Sequence, residues 1–282
     1  MIIIKKYIVR YFPIFLLPLF IIFTVVFIVP FVLGLFLSFT SFTTISNASF
    51  NGIRNYISAF TIDDSFINSF WFTVKVTIVS VVSINIVSFI LAMMLSKRIK
   101  INTYFRTTYF IPNLIGGIVL GYIWNLIING VLSIFNVDIT YSSSYGFWGL
   151  IILMNWQLIG YYMIIYISAI QGIPNQIIEA ASIDGANKFQ IIKHVIVPYL
   201  WPSITVCVFL VLTNSFKLFD QNLALTQGAP GKETQMLALD IFNTFYGRTG
   251  FNGVGQAKAV LFFIIVGIIA SIQLWLSAKK EA

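Results

Sequence analysis

Six long intervals of this sequence contain no Asp, Glu, Lys or Arg, and they constrain the fold more than any other feature. About 20 mostly apolar residues cross the hydrocarbon core of a bilayer as one helix, so we assign one membrane span to each interval. The sequence therefore predicts an all-α, polytopic membrane protein with six transmembrane helices. The predicted spans lie at about 12–38, 70–96, 106–128, 147–170, 198–217 and 257–278.

The composition points to the same class of protein. Only 9% of the 282 residues are charged and 59% are hydrophobic, whereas a soluble domain carries roughly 25% charged residues. So much apolar surface must face lipid, which excludes a soluble enzyme, a secreted disulfide scaffold and a disordered chain. The single cysteine, Cys207, lies inside an apolar run, so the sequence allows no intrachain disulfide.

The distribution of Lys and Arg predicts the orientation in the membrane. Six spans place both termini on one side, and the segments on that side carry eleven of the 17 Lys and Arg residues. Since these residues concentrate in cytoplasmic loops, both termini, including segment 1–11, are predicted to be cytoplasmic. The net charge of +8 then reflects topology and calls for no nucleic-acid partner. The first apolar run is too long for a cleaved signal peptide and is expected to remain as an anchor.

The predicted cytoplasmic segment 172–198, between the fourth and fifth spans, has a clear helical pattern. Pro174 suits the first turn of a helix that the next residue or the preceding loop caps. Gly185 permits a left-handed turn that ends this helix. Asn187 can cap a second helix, which Pro198 stops where the fifth span starts. The segment is therefore predicted to be a helical hairpin with small residues at its corner.

The same residues resemble a family motif. Glu179-Ala180-Ala181, then Asp184-Gly185-Ala186, then an apolar stretch ending in Val197-Pro198 resemble the EAA loop of the membrane subunits of binding-protein-dependent ABC importers. Segments elsewhere resemble the carbohydrate class of these permeases, although Ala229 replaces a glycine of that pattern. They are Pro30 with 38–40, 52–56, 104–112 and 219–239, so the resemblance covers nearly the whole chain. It implies the type I importer fold, with one transmembrane domain at 12–282.

The resemblance also implies partners and a docking role for the hairpin 172–198. In the family, this hairpin contains the coupling helix, which docks on an ATPase subunit. The implied partners are two ATPase subunits that bind ATP and Mg, a second permease subunit forming a heterodimer, and an extracellular solute-binding protein that delivers a sugar. The implied location is the plasma membrane of a prokaryote. The implied docking residues are Glu179, Ala180, Ala181, Asp184, Gly185, Ala186, Phe189 and Pro198.

The sequence offers no ATP site or catalytic motif of its own. A Walker A loop needs G-x-x-x-x-G-K-[ST] to cradle phosphate. The nearest match, Gly231-Lys232, has Thr226 where the first glycine belongs and Glu233 in place of Ser or Thr. Metal-hydrolase and serine-hydrolase motifs are also missing, and His194 is expected to be a solvated or subunit-contacting residue. The resemblance and these absences together predict a permease with no metal or cofactor of its own and no enzymatic activity.

Polar and aromatic residues inside the predicted spans are the candidates for substrate contact. Polar groups are costly within a membrane and so are often functional, and amides with aromatic rings suit the hydroxyl groups and C–H faces of a sugar. Interhelix hydrogen bonding and an interfacial aromatic belt are the alternative roles. The candidates are Asn155, Gln157, Asn214, Trp124, Tyr162 and Lys217.

Two other functions remain open on the residues alone. A half-unit of a secondary transporter would show internal repeats and a buried ionisable coupling site, and neither is clear in the sequence. An intramembrane enzyme would need a catalytic set that the motifs do not supply.

The predicted outer segment 218–256 is polar and Gly-rich, and we expect a long loop there. By resemblance, this loop would contribute to the outer gate and contact the solute-binding protein.

Overall fold

The computed structural model describes residues 12, 14, 16–62, 65–97 and 99–281, and these residues are mainly helical. The predicted N-terminal segment 1–11 lies outside the described residues. Two short strands, β1 (Thr40–Ser41) and β2 (Ser49–Phe50), pair antiparallel. The helices are α1 (Leu16–Leu37), α2 (Arg54–Thr61), α3 (Ser65–Leu95), α4 (Lys100–Phe110), α5 (Gly117–Leu132), α6 (Ser143–Gln171), α7 (Asn175–Ile183), α8 (Lys188–Tyr199), α9 (Trp201–Phe216), α10 (Asp220–Leu225), α11 (Leu237–Gly247) and α12 (Asn252–Glu281).

Within the described residues, five helical segments are long and apolar enough to cross a bilayer. They are α1, α3, α6, the segment Gly117–Phe135 that contains α5, and Asn252–Trp275 of α12. Helices α8 and α9 form a pair bent by 70°, and together they pass the same test as a sixth span. The structure therefore agrees with an all-α, polytopic membrane protein.

The third span lies later in the chain than the sequence indicates. The apolar pattern places it at about 106–128, but α4 ends at Phe110 and α5 begins at Gly117. Pro112 lies in a short 3₁₀ turn between them, where it lacks the N–H group that a continuous helix needs. Ile115 and Gly116 then adopt extended backbone. The apolar run is thus divided between two helices.

Pro198 does not end the second hairpin helix, contrary to the sequence-based expectation. A π-helical turn at Ile192–Ile196 precedes it, and the N–H of Val197 donates to the carbonyl of Ile192. This wider turn lets the helix continue through the proline as far as Tyr199. The bend falls at Leu200, before Pro202 in the first turn of α9. Pro202 has no N–H to donate to the carbonyl four residues earlier, so the helix breaks there.

The described residues fall into two compact units, and the larger unit joins 65–240 to 264–281. Its core is α6 packed along α3, with α9 against both. Small residues permit close approach in this core: the hydroxyl of Ser88 on α3 donates to the carbonyl of Ile159 on α6 at 3.0 Å. Gly160 lies directly against the backbone of Tyr109 on α4. Close approach at small residues, together with large buried side chains such as Tyr162 and Met154, therefore holds this unit together.

The smaller unit joins the described residues up to 62 to residues 241–263. Asn55 of α2 is buried, and its amide donates to the carbonyls of Ser38 at 2.9 Å and Thr40 at 2.8 Å. The Tyr56 hydroxyl lies 2.6 Å from the Ser38 hydroxyl. These bonds fix the chain that follows α1 against α2, so the Asn-Tyr pair of the family-like segment 52–56 has a structural role here.

Candidate functional site

At the corner of the hairpin formed by α7 and α8, specific backbone bonds define the end of α7. Gly185 has φ +84°, which confirms the predicted left-handed turn. Its N–H donates to the carbonyl of Ser182, and the N–H of Ala186 donates to the carbonyl of Ala181, which together make a Schellman motif. The corner is thus a specific backbone conformation that depends on a glycine.

The second hairpin helix begins with the predicted cap. The Asn187 side chain accepts from the N–H of Gln190 at 2.9 Å, and the Gln190 side chain accepts from the N–H of Asn187 at 2.7 Å. This capping box confirms the role of Asn187 as N-cap. At the first helix, Pro174 is the N-cap instead of lying in the first turn, and Asn175 is the first helical residue. The ψ of 128° at Pro174 is extended, so the helix starts one residue later than expected.

Two large apolar side chains are exposed beside the corner. Ile183 is 86% exposed and Phe189 is 72% exposed, and the charged residues Glu179, Asp184 and Lys188, which are close to them in the sequence, are also exposed. Because a charged surface does not belong in the hydrocarbon core, lipid does not explain these apolar groups. An exposed apolar patch with a polar rim is typical of a protein-docking surface. Of the other implied docking residues, Ala180, Gly185 and Pro198 are exposed, and Ala181 and Ala186 are half-buried.

Ile183 is the residue of this surface that sequence reasoning missed. It occupies a variable position of the motif, between Ala181 and Asp184, and it is the last residue of α7. An isoleucine next to an Asp-Gly turn was the available signal, because a β-branched apolar residue at such a turn has little local reason to be there.

The structure brings together two of the substrate-path candidates, Tyr162 and Asn214. Tyr162 of α6 is fully buried, and its hydroxyl accepts from the amide of Asn214 of α9 at 3.2 Å. The rest of the Asn214 side chain is exposed. Lys217 follows at the C-terminal end of α9 and is also exposed. The C-terminal half of α9 thus presents an amide and an ammonium group on exposed residues.

Asn155 and Gln157 contact different parts of the unit, although they are close in sequence. The Asn155 amide donates to the hydroxyl of Ser83 on α3 at 2.9 Å and to the carbonyl of Ile151 at 2.8 Å. Gln157 is buried: its amide donates to the carbonyl of Ile115 at 3.3 Å, and its oxygen accepts from Gln221 of α10 at 2.9 Å. Both residues therefore make bonds between helices. The ring of Trp124 on α5 lies 5.8 Å from that of Trp156.

Residues 218–236 are compact and only partly a loop. Helix α10 packs against α5, where Gly117 and Gly121 allow the close approach. Asn222 is fully buried; it donates to the Thr226 hydroxyl and the Thr234 carbonyl and accepts from the N–H of Met236. Residues 224–229 line a cavity of about 700 Å³. Asn125 also lines this cavity, but its side chain and that of Thr226 already form hydrogen bonds within the chain. The predicted connecting segment 218–256 is more than half helical, because α10, α11 and the start of α12 lie within it.

Comparison with known proteins agrees with this architecture. The family model described as "Binding-protein-dependent transport system inner membrane component" matches residues 101–281. The chain belongs to this family. The family match confirms the sequence-based prediction of a transport permease and replaces the alternatives of a secondary-transporter half-unit and an intramembrane enzyme. Across the described residues, no three His, Cys, Asp or Glu side chains lie together as a metal site would require.

Individual relatives extend the match over nearly the whole chain. The probable starch degradation products transport system permease protein AmyD of Thermoanaerobacterium thermosulfurigenes is 43% identical, over 91% of this chain and 90% of that protein. The multiple sugar-binding transport system permease protein MsmF of Streptococcus mutans is 33% identical, over 91% of each chain. A crystal structure of a bacterial ABC transporter involved in the import of the acidic polysaccharide alginate superposes with a TM-score of 0.81 at 19% identity, covering 98% of both chains. This superposition confirms the predicted ABC importer permease fold.

Proposed function

We propose that this chain is the permease subunit of an ATP-driven importer for a sugar or oligosaccharide. The observation that carries the proposal is the 43% identity, over nine tenths of the chain, to a permease named for starch degradation products. A second relative is named for multiple sugars, and the structural neighbour for alginate, which is also a carbohydrate. The accessible amide of Asn214 and the aromatic residues near it are compatible with a neutral sugar.

The proposed assembly contains several chains. A second, different permease subunit would complete the path, and two ATPase subunits would supply ATP and Mg chemistry that this chain lacks. An extracellular solute-binding protein would deliver the sugar. A second alginate-transporter structure, with a TM-score of 0.75, is a complex with an alginate pentasaccharide-bound periplasmic protein. It supports a solute-binding protein as partner.

We assign ATPase docking to the hairpin corner. Ile183 and Phe189 would enter an apolar cleft of the ATPase, while Glu179 and Asp184 would bond at its rim. The small residues Ala180, Ala181 and Ala186 would let the partner backbone approach closely. The support is the exposed apolar pair within a charged rim and the match to the EAA pattern.

Reconstitution tests the proposed function. The chain, its second permease, the ATPase and the solute-binding protein are placed in proteoliposomes, and uptake of a labelled starch-derived oligosaccharide is measured with and without ATP. We expect uptake only when ATP and the solute-binding protein are both present. Uptake that persists without ATP, or failure of any ATPase to co-purify with the tagged chain in mild detergent, would contradict the proposal.

The proposed orientation places both termini and the hairpin in the cytoplasm. In a Cys207→Ala background, Lys232→Cys lies in the proposed outer segment and Lys100→Cys in a proposed inner one. We expect a membrane-impermeant maleimide to label Lys232→Cys in intact cells and Lys100→Cys only after permeabilisation, because the bilayer separates the two positions. Labelling of both in intact cells, or the reverse pattern, would contradict the orientation.

We also assign substrate contact to the accessible candidates of the membrane path, and Asn214 is the most accessible amide among them. Asn214→Leu should reduce sugar uptake about tenfold, because one hydrogen bond from the path, worth about 1.4 kcal/mol, is lost. Thr213→Val is the matched control, since the Thr213 hydroxyl donates to Phe209 and Leu210 carbonyls of its own helix. Equal uptake by both variants would remove Asn214 from the path.

A further inference from the structure

The C-terminal end of α3 is held by side chains from two other helices. An α-helix leaves the carbonyl groups of its last turn without partners inside the helix. Here the carbonyl of Leu95, the last residue of α3, and the carbonyls of Ser96 and Lys97, which follow the helix, each accept a side-chain hydrogen bond. These side-chain bonds join the end of α3 to α4 and α6.

Arg106 of α4 makes the largest contribution to this arrangement. Its Nε donates to the carbonyl of Leu95 at 3.1 Å, and one terminal nitrogen donates to the same carbonyl and to that of Lys97 at 3.1 Å. Asn102, which is buried one turn earlier on α4, also donates to Lys97 at 3.0 Å. The C-terminal end of a helix carries partial negative charge, so the guanidinium bonds are charge-assisted.

The same helix end is linked to the base of the hairpin. Gln171, the last residue of α6, donates to the carbonyl of Ser96 at 2.7 Å. The carbonyl of the next residue, Gly172, accepts from the hydroxyl of Tyr199 at 3.1 Å. Since α6 leads into the hairpin and Tyr199 ends α8, the hairpin base is bonded to the end of α6. Hydrogen bonds thus connect α4, α3, α6 and the hairpin in that order.

We propose that Arg106 is a positioning residue for energy coupling. Its bonds tie α4 to the end of α3, which Gln171 in turn ties to the hairpin base, so that a movement imposed on the hairpin is passed through α3 to α4. This inference rests on the proposed function of the hairpin as the ATPase-docking element. Without the guanidinium, the hairpin and α3 can move while α4 stays behind, and ATP hydrolysis is then separated from transport.

The test compares ATP hydrolysed per sugar imported in proteoliposomes of the full complex. Arg106→Gln should raise this ratio about tenfold, which lies within the usual range of coupling between sites. Arg106→Lys should give a smaller increase, because an ammonium group keeps the charge but cannot form the two-nitrogen fork. Lys100→Gln, which removes an exposed cation from the same helix, is the matched control and should match the wild type.

Two results would overturn the proposal. One is an unchanged ratio in Arg106→Gln; the other is a parallel loss of hydrolysis and transport at constant ratio, which indicates only a structural role. If Arg106→Gln does not assemble, Gln171→Leu decides, since it removes the bond to Ser96 from an exposed side chain and should also raise the ratio. A wild-type complex without ATP-dependent uptake would instead refute the proposed function, so the two failures are distinguishable.

Discussion

Replacing Gly160 by alanine is expected to destabilise the protein severely, and replacing it by leucine to prevent its accumulation in the membrane. A Cβ atom at this position of α6 would lie 1.8 Å from the carbonyl oxygen of Tyr109 and 2.3 Å from its carbonyl carbon. These are backbone atoms, so no side-chain rotation relieves the overlap and α4 must move away. Overpacking of this kind costs about 1–3 kcal/mol or more.

Gly130→Ala on α5 is the matched control for this prediction. A Cβ atom there meets nothing within 4 Å, and alanine in a helix is favoured over glycine by roughly 0.5–1 kcal/mol. The measurement is thermal unfolding in detergent, together with the monodisperse fraction after gel filtration. We expect Gly160→Ala to melt well below the wild type and Gly130→Ala at or above it. Equal melting of the two variants would show that α4 and α6 do not cross closely at Gly160.

Gly185→Pro is expected to abolish sugar uptake while leaving the chain inserted in the membrane. Proline requires φ near −65°, whereas Gly185 has φ +84°. The substitution also removes the N–H that donates to Ser182. Because a Cβ atom meets nothing within 4 Å at this exposed corner, the damage is confined to the turn. The hairpin would then present Ile183 and Phe189 in a different arrangement to the proposed ATPase.

Other substitutions of Gly185 test the same prediction, because they differ in the energy needed to adopt a positive φ. Asparagine adopts the left-handed conformation most readily after glycine, so Gly185→Asn should keep most of the uptake. Gly185→Ala carries about 1–2 kcal/mol of strain and should fall between the two. Uptake and the amount of co-purified ATPase should decrease together from Gly to Asn to Ala to Pro. Full uptake by Gly185→Pro would remove the coupling role of the corner.

Local patterns were predictable where the deciding interaction is local. The left-handed Gly185 and the capping box of Asn187 depend on residues within a few positions of each other, and both were read correctly from the sequence. The path of the chain through Pro198 was not predicted correctly, because it depends on a π-helical turn and on Pro202. Both prolines can start or interrupt a helix, and the sequence does not say which of them breaks it.

For the candidate substrate residues, the sequence predicts the position in a span but not the hydrogen-bond partners. Periodicity and polarity identify Asn155 and Gln157 as polar groups within a span, yet neither property says which neighbours they meet. Gln157 bonds to Ile115 and Gln221, which are 42 and 64 residues away along the chain. Such partners depend on how α5, α6 and α10 pack. Only Asn214 and Tyr162 of the proposed path are in direct hydrogen-bond contact with each other.

The sequence by itself determined the membrane class, the family and the corner of the hairpin. Charge-free apolar runs, an ordered motif and turn residues are local properties, and water, lipid and backbone sterics act on them directly. The tertiary structure alone decided the broken third span, the folding of 218–236 against α5, and the attachment of Arg106 to the end of α3. The last two depend on segments separated in sequence coming together, because an unpartnered carbonyl finds its donor only after packing. The third span breaks where Pro112 lacks an N–H, and the amide of Gln157 on α6 donates to the carbonyl of Ile115 beside the break.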